Sequence, residues 1–176
     1  MLKIIILLFL IVNTSYAVVT EQEKLAQEWK AMSTEEKNSI IKSYVAGLPY
    51  NLQLTLAAIN WQESMGGRWQ ISTDHNDVGI YHVNLHWYFK EMKIKDTIWN
   101  RSKYTTMLIT KPKVCEIYVI SKLQNLLLAN NNNYYKTWWR YNGSEEYAKH
   151  ILEKVHFLQH LLNTGKVKVK GTSYDN

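Results

Sequence analysis

A single carboxylate ends an apolar run in the stretch NWQESMGGRWQ, which covers residues 60–70. Leu52, Leu56 and Ile59 lie 11, 7 and 4 positions before Glu63. On a helix with about 3.6 residues per turn, these three side chains point within about 40° of the Glu63 side chain. Glu63 is therefore predicted to project from the apolar face of a helix over residues 52–63, which a pair of glycines closes.

Two effects act on the charge of a carboxylate in that position. Apolar surroundings disfavour the ionised form, and so does the negative end of the helix dipole, so both raise the pKa. A carboxylic acid that keeps its proton near neutral pH can protonate the leaving oxygen of a glycosidic bond. Position alone leaves one alternative open, in which Glu63 is an ordinary last-turn residue that turns out to solvent.

Two later segments accompany the Glu63-Ser64 pair. Gly79-Ile80-Tyr81-His82-Val83 follows it, and Tyr141-Asn142-Gly143 lies further along the chain. In order and approximate separation, these segments resemble the three motifs of the soluble lytic transglycosylase (SLT) family, glycoside hydrolase family 23, which read Glu-Ser, Gly-Leu-Met-Gln-Ile and Ala-Tyr-Asn-Ala-Gly. The resemblance covers about residues 48–155.

The resemblance implies a fold class and a reaction. The fold class is mainly α, a lysozyme-like helical domain with an active-site cleft and a long loop or small β element around residues 68–86. The reaction is cleavage of the bond between N-acetylmuramic acid and N-acetylglucosamine in peptidoglycan, without water. Glu63 would be the sole general acid and base, and the product would carry a 1,6-anhydro ring. Neither a cofactor nor a metal is expected.

The resemblance also implies roles for seven further residues. Tyr141 is expected to orient Glu63 through its hydroxyl, which makes it the second catalytic residue. Substrate-binding roles fall on the other six, which are Ser64, Gly79, Ile80, Tyr81, His82 and Asn142.

His82 is the main departure from the family pattern, which has Gln at that position to hydrogen-bond the sugar. A neutral imidazole can donate one hydrogen bond and accept one, so such a contact can persist. Imidazole ordinarily titrates near pH ~6.5, whereas an amide does not titrate at all. The substitution therefore bears on sugar specificity and activity more than on the fold.

Two alternatives keep a role for the cleft but change the chemistry. Asp74 or Asp77, in the loop after Glu63, could hold a water molecule and make the protein a hydrolytic, goose-type-like lysozyme. Loss of activity would instead leave a non-catalytic peptidoglycan-binding component of an envelope machine. Retention of an acid on the apolar face argues against that second alternative.

A metal site is disfavoured. The loop from Asp74 resembles the start of an EF-hand, but its twelfth position is Leu85 where a calcium loop needs glutamate. His75, His82 and His86 could hold a transition metal, but the periodicity of this segment does not indicate the helix that would bring the last two together.

Helix signals flank these motifs. Thr20 and Ser33 each precede a glutamate by three positions, which predicts capping boxes at the start of two helices. Asn51 is predicted to cap the helix that carries Glu63. Pro112 fits the first turn of a later helix that ends at asparagines 130–133, and Ser144 is predicted to cap the last helix.

The ends of the chain predict export. Lys3, an apolar core and the small residues near Ala17 read as a signal peptide over residues 1–17. Residues 18–165 are predicted to form a single domain, since no linker or internal repeat interrupts them, and residues 166–176 a basic tail. The expected location is the periplasm or cell envelope of a bacterium.

The composition of the chain limits the classes of partner that it can be expected to bind. The 176 residues carry a formal net charge of +6, which favours an anionic partner such as peptidoglycan glycan strands. Nucleic acid is not expected, because no basic cluster occurs within a known nucleic-acid motif. A stable membrane span is not expected either. The protein is expected to be a monomer with an unidentified partner in the envelope machinery. A lone Cys115 excludes an intramolecular disulfide.

Overall fold

The computed structural model describes residues 20–74 and 76–169. The predicted signal peptide, His75 and the end of the predicted tail lie outside the described residues. No helix within these ranges has the length and hydrophobicity that crossing a membrane requires. The described chain is mainly helical, with a 3₁₀ turn at Leu48–Tyr50 and the elements α1 (Glu21–Ala31), α2 (Thr34–Gly47), α3 (Gln53–Ser64), β1 (Asp77–Val78), β2 (Val83–Asn84), α4 (Leu85–Glu91), α5 (Ile98–Thr110), α6 (Pro112–Ala129), α7 (Tyr134–Asn142) and α8 (Glu145–Asn163).

The first two helices begin at the predicted capping boxes. The side chains of Thr20 and Ser33 each accept a hydrogen bond of 3.2 Å from the backbone N–H of the glutamate three residues on. The carboxylates of Glu23 and Glu36 in turn accept hydrogen bonds of 2.8 Å from the backbone N–H groups of the caps. Each box thus satisfies two backbone donors that the helix itself leaves free.

Asn51 does not cap α3, and that prediction is wrong. Asn51 follows the 3₁₀ turn with a φ of 56°, in the left-handed region that asparagine tolerates better than most residues. Its carbonyl accepts a hydrogen bond of 2.8 Å from the Tyr134 hydroxyl. α3 instead begins at Gln53, with Leu52 at the N-cap position and no side-chain cap.

The central helix is α3, which packs between α2 and α8. Its Trp61 ring lies 5.3 Å from the Trp29 ring and 5.6 Å from the Phe157 ring, between centroids. α3 is therefore buried on several faces, and its polar residues Thr55, Asn60 and Ser64 are buried together with its apolar ones. Six consecutive residues of α3, at positions 56–61, are 1% exposed or less.

A short β-hairpin follows α3 within the predicted segment 68–86. Val78 of β1 lies opposite Val83 of β2 in an antiparallel pair, and residues 79–82 form the turn. Gly79 opens this turn with a φ of +80°, and a Cβ there would lie 2.6 Å from the Cys115 sulfur and 3.0 Å from the Leu108 carbonyl oxygen. Only glycine lets the hairpin approach α5 and α6 this closely.

Two predicted boundaries in the second half of the chain are confirmed, whereas α4 and α5 were not among the predicted helices. α6 has Pro112 in its first turn and ends at the asparagines, and Ser144 caps α8 by accepting a hydrogen bond from the backbone N–H of Tyr147. Cys115 is fully buried, and burial raises the pKa of its thiol to about 12. Val167 and Val169 pack against the core, so the first residues of the predicted tail lie on the helical domain.

We expect Gly79→Ala to lower the free energy of unfolding by about 1–3 kcal/mol, because the added methyl group meets closely packed atoms at a positive φ. Gly165→Ala is the matched control, since Gly165 has a φ of +66° and a methyl group added there would meet no described atom within 4 Å. It should lose only the backbone contribution of about 1 kcal/mol. Urea denaturation followed by circular dichroism measures both, and equal losses would contradict the packing argument.

Candidate active site

Glu63 lies in the last turn of α3, and its side chain is 16% exposed. The pKa of its carboxyl is raised to about 7, chiefly because burial disfavours the charged form. The Tyr147 hydroxyl lowers this pKa, and the Asp77 carboxylate raises it. Glu63 therefore stays on the buried face of its helix, as predicted. Its carboxyl carries a proton in a large fraction of molecules at neutral pH, as a general acid must.

The hydroxyl that acts on Glu63 belongs to Tyr147, in the first turn of α8. It is buried and makes no hydrogen bond of good geometry with a described residue, yet it interacts with the Glu63 carboxyl strongly enough to lower that pKa. Tyr141, to which the motif resemblance assigned this contact, stacks on Tyr147 with ring centroids 6.3 Å apart. Burial and the Glu63 charge raise the pKa of both tyrosines, which keeps them protonated. The hydroxyl that acts on the Glu63 pKa in the structure is thus that of Tyr147 and not that of Tyr141, while the orienting role itself stays a prediction.

His82 lies beside Glu63 at the end of the hairpin turn. Its Nδ1 is 3.6 Å from the Glu63 Oε2, and its Nε2 is 2.8 Å from the carbonyl oxygen of Trp69. The ring is largely buried, with 16% of the side chain exposed. The second predicted motif therefore delivers a side chain to the catalytic candidate.

An open cleft of about 480 Å³ lies in front of Glu63. Trp87 of α4, which lines this cleft, is 49% exposed and presents a flat apolar surface. Two cations line it as well, Lys122 of α6 and Arg140 of α7, and neither forms an ion pair with another described residue. The cleft also includes Tyr141 and Asn142 from the third predicted motif. It therefore combines a buried acid, an aromatic surface, two cations and the carboxyl groups of Asp77 and Glu91.

Four predicted substrate-binding residues do not line the cleft. Ser64 and Tyr81 are 0% exposed, and Ile80 is 9% exposed, so none of these side chains has a surface to offer a sugar. Gly79 is crowded by α5 and α6. For these residues the structure corrects the prediction from substrate contact to structural support.

The support is a buried polar network. The Ser64 hydroxyl donates a hydrogen bond of 2.8 Å to the Ile80 carbonyl oxygen, and the Tyr81 hydroxyl donates one of 2.8 Å to the Ser43 hydroxyl oxygen. The Asn60 amide donates a hydrogen bond of 2.8 Å to the same Ser43 oxygen. Because Ser64 follows Glu63 and Tyr81 precedes His82, the network sets the distance between those two side chains.

The two aspartates proposed as alternative bases lie in different surroundings. Asp74 accepts hydrogen bonds from Ser72 and Asn76, which lower the pKa of its carboxyl to about 2, and it does not line the cleft. Asp77 lines the cleft and accepts a hydrogen bond of 2.8 Å from Asn84. Of the two, only Asp77 is placed to act on a substrate beside Glu63.

Sequence reasoning missed several residues of the cleft. Tyr147 belongs to an apolar stripe of α8, and this pattern indicates a core residue. The available signal for a functional role was its hydroxyl group, close in sequence to the cap Ser144. Lys122 and Arg140 gave no local signal, since each belongs to a helix with other charged residues. The missed residues that line the cleft or contact Glu63 include Asn84, Trp87, Glu91, Tyr118, Lys122, Arg140 and Tyr147.

Comparison of the chain with protein-family models, with curated proteins and with solved structures gives no match. Within residues 20–74 and 76–169, no three His, Cys, Asp or Glu side chains are grouped so that they could hold a metal ion. The third histidine of the metal alternative, His75, lies outside the described residues.

We expect the Glu63 carboxyl to make stability depend on pH. Between its ordinary value of 4.5 and about 7, the folded chain holds a proton that the unfolded chain has released, so stability falls as the pH rises through this window. Glu63→Gln cannot ionise and should gain up to about 3 kcal/mol over the parent at pH 8, relative to their difference at pH 4. Urea denaturation at the two pH values measures this. A difference that does not change with pH would contradict the buried, protonated carboxyl.

We expect Tyr147→Phe to raise the pKa of Glu63, because the lost hydroxyl is the group that lowers it. Tyr141→Phe is the matched control and should leave that pKa nearly unchanged. The readout is the titration of the Glu63 side chain by ¹³C NMR of carboxyl-labelled protein. The reverse result, a shift in the Tyr141 variant alone, would return the orienting role to Tyr141.

Proposed function

We propose that this chain is a peptidoglycan lytic transglycosylase with a lysozyme-like fold. The observation that carries the proposal is a carboxyl group of pKa about 7, buried at an open cleft. His82, Tyr141 and Asn142, from the second and third segments that resemble the SLT motifs, line the same cleft. Three segments separated by up to about 80 positions thus meet where one reaction would need them.

In the first step Glu63 acts as the general acid. Its proton goes to the glycosidic oxygen while the bond between that oxygen and the anomeric carbon of the muramyl sugar breaks. The oxygen of the 2-acetamido group of the same sugar attacks the anomeric carbon from the other side. Substrate assistance of this kind needs no second carboxylate as nucleophile.

In the second step Glu63 acts as the general base. Its carboxylate takes the proton of the muramyl 6-hydroxyl, whose oxygen then bonds to the anomeric carbon as the acetamido oxygen leaves. This closes the 1,6-anhydro ring and returns Glu63 to its protonated form. A pKa near 7 suits both steps, because neither the loss nor the recovery of the proton is strongly uphill.

Other residues of the cleft suit an anionic glycan. The exposed ring of Trp87 offers a flat surface on which a sugar can stack, and Asn142 can hydrogen-bond an acetamido group. Lys122 and Arg140 are available to the carboxylates that peptidoglycan carries on its muramyl units and peptides. The formal net charge of +6 attracts the same polymer at long range.

The proposal sets the protein in the periplasm or cell envelope of a bacterium. Its partners there are peptidoglycan glycan strands and an unidentified component of an envelope machine, and the protein acts as a monomer without a cofactor. The predicted signal peptide over residues 1–17 is the basis for this location.

Hydrolysis is the second candidate reaction, and the position of Asp77 favours it. Asp77 lines the cleft and is close enough to raise the pKa of Glu63. If it holds a water molecule on the far side of the sugar, that water replaces the 6-hydroxyl as nucleophile and leaves a reducing end. The product therefore distinguishes the two reactions.

We expect residues 18–176 to release muropeptides with 1,6-anhydro ends from purified peptidoglycan, each lighter by one water than the hydrolytic product. Glu63→Gln should lower this release by at least about 10³-fold, because the amide keeps the volume but cannot transfer the proton. Mass spectrometry of the digest measures both. Asp77→Asn is the matched control and should keep most of the activity.

Other outcomes have clear meanings. Reducing ends that vanish in Asp77→Asn would replace the transglycosylase with a hydrolase. Full activity of Glu63→Gln would remove Glu63 from the mechanism. No release by the parent chain between pH 5 and 8 would favour a non-catalytic peptidoglycan-binding protein.

A further inference from the structure

The hydrogen bond between His82 and Trp69 determines where the imidazole carries its proton. A carbonyl oxygen can only accept, so the Nε2 that lies 2.8 Å from the Trp69 oxygen must be the protonated nitrogen. In the neutral ring, Nδ1 is then the nitrogen with the free lone pair. That lone pair is on the atom 3.6 Å from Glu63 Oε2.

The backbone holds this ring in place. His82 has a φ of 44°, in the left-handed region that few residues other than glycine adopt, and its N–H donates a hydrogen bond of 3.1 Å to the Gly79 carbonyl oxygen. Tyr81, the preceding residue, is anchored through its hydroxyl to Ser43 of α2. A strained backbone conformation that surrounding contacts maintain is typical of functional positions.

From this geometry we infer that His82 is a positioning residue for Glu63: its ring presents the Nδ1 lone pair to the carboxyl, and a second proton on that nitrogen would restrict activity on the acid side of neutrality. The inference rests on the proposed function, which it deepens. It concerns the residue in which this chain departs from the motif it resembles, where an amide takes the place of the imidazole.

Each protonation state of the pair has a consequence for the two steps. With His82 neutral, the Glu63 carboxyl can hold its proton for the leaving oxygen and recover it afterwards. When His82 gains a second proton at Nδ1, an imidazolium lies 3.6 Å from the carboxylate that must act as base. The positive charge makes that carboxylate a weaker base toward the 6-hydroxyl, and it also opposes the positive charge that develops on the sugar.

The remaining charged and titratable groups near the pair do not replace this effect. Tyr147 of α8 and Tyr141 of α7 stay protonated, because their pKa values are raised. Asp77 of β1 acts on Glu63 with a negative charge. The other groups that line the cleft are Glu91 of α4, Tyr118 and Lys122 of α6, and Arg140 of α7. None of these is an imidazole, whose ordinary titration lies between pH 5 and 8.

His82→Gln tests the inference, because the amide can still donate to the Trp69 oxygen but cannot take up a proton. The parent chain should show a bell-shaped dependence of kcat/KM on pH, with an acid limb that falls about tenfold per pH unit. The variant should lose the acid limb and keep the alkaline limb. His156→Gln, the same change at an exposed position of α8, should keep both limbs.

A second measurement depends neither on turnover nor on a variant of residue 82. ¹⁵N NMR of the imidazole should show His82 as the Nε2–H tautomer at high pH. The same tautomer should persist in Glu63→Gln, because the Trp69 carbonyl oxygen, and not the carboxyl group, holds the proton on Nε2.

The two measurements separate the possible failures. An acid limb that persists in His82→Gln, or an Nδ1–H tautomer in the parent chain, would overturn the inference even if anhydro products form. The Nε2–H tautomer in a protein that releases no muropeptide would preserve the orientation of the ring and remove the proposed function.

Discussion

Burial of the Glu63 carboxyl is the constraint on which the rest of the site depends. A carboxylate is costly to place among apolar groups, and the cost appears as a pKa raised to about 7. Only a rigid surround can keep such a group from turning out to water. The structure provides it by placing Glu63 at the end of α3, whose preceding turns are buried between α2 and α8. The packing of the central helix therefore also fixes the position of the acid.

The polar network around Ser43, Asn60, Ser64 and Tyr81 holds the hairpin close to the end of α3. Apolar packing alone tolerates small shifts, whereas a buried hydroxyl with a fixed partner does not, because losing the partner leaves a polar group unsatisfied. The bonds from Ser64 to Ile80 and from Tyr81 to Ser43 tie the hairpin to α3 and α2. They thereby place His82 beside Glu63, although neither of those two side chains belongs to the network.

The contrast between predicted and observed roles follows from the range of the interactions. Capping boxes at Thr20 and Ser33 were predictable because a cap and its partner lie three residues apart. Asn51 was mispredicted because it closes the 3₁₀ turn over Leu48–Tyr50 in the left-handed region, where its backbone N–H donates to the Leu48 carbonyl oxygen. The mainly helical class was predictable because capping residues and apolar runs mark several helices, and the segment 68–86, predicted as a long loop or a small β element, contains the hairpin. Ser64 and Tyr81 were expected to face substrate, since the motif resemblance gives the order of residues but not which side of the backbone meets the cleft. Tyr147 was not predicted as a site residue, because a tyrosine in an apolar stripe has the pattern of a core residue.

The residues that hold the site and those that act in it differ in how fully their polar groups are satisfied. Ser64, Tyr81 and Asn60 have their hydrogen bonds supplied within the fold. Tyr147 is buried without a hydrogen bond of good geometry to a described residue, and Glu63 and His82 face each other at 3.6 Å, just beyond hydrogen-bond distance. Unsatisfied polar groups destabilise a fold, so a group of them around one acid calls for an explanation. Their position around Glu63, next to a network whose hydrogen bonds are satisfied, is the physical argument for proposing this cleft as the active site.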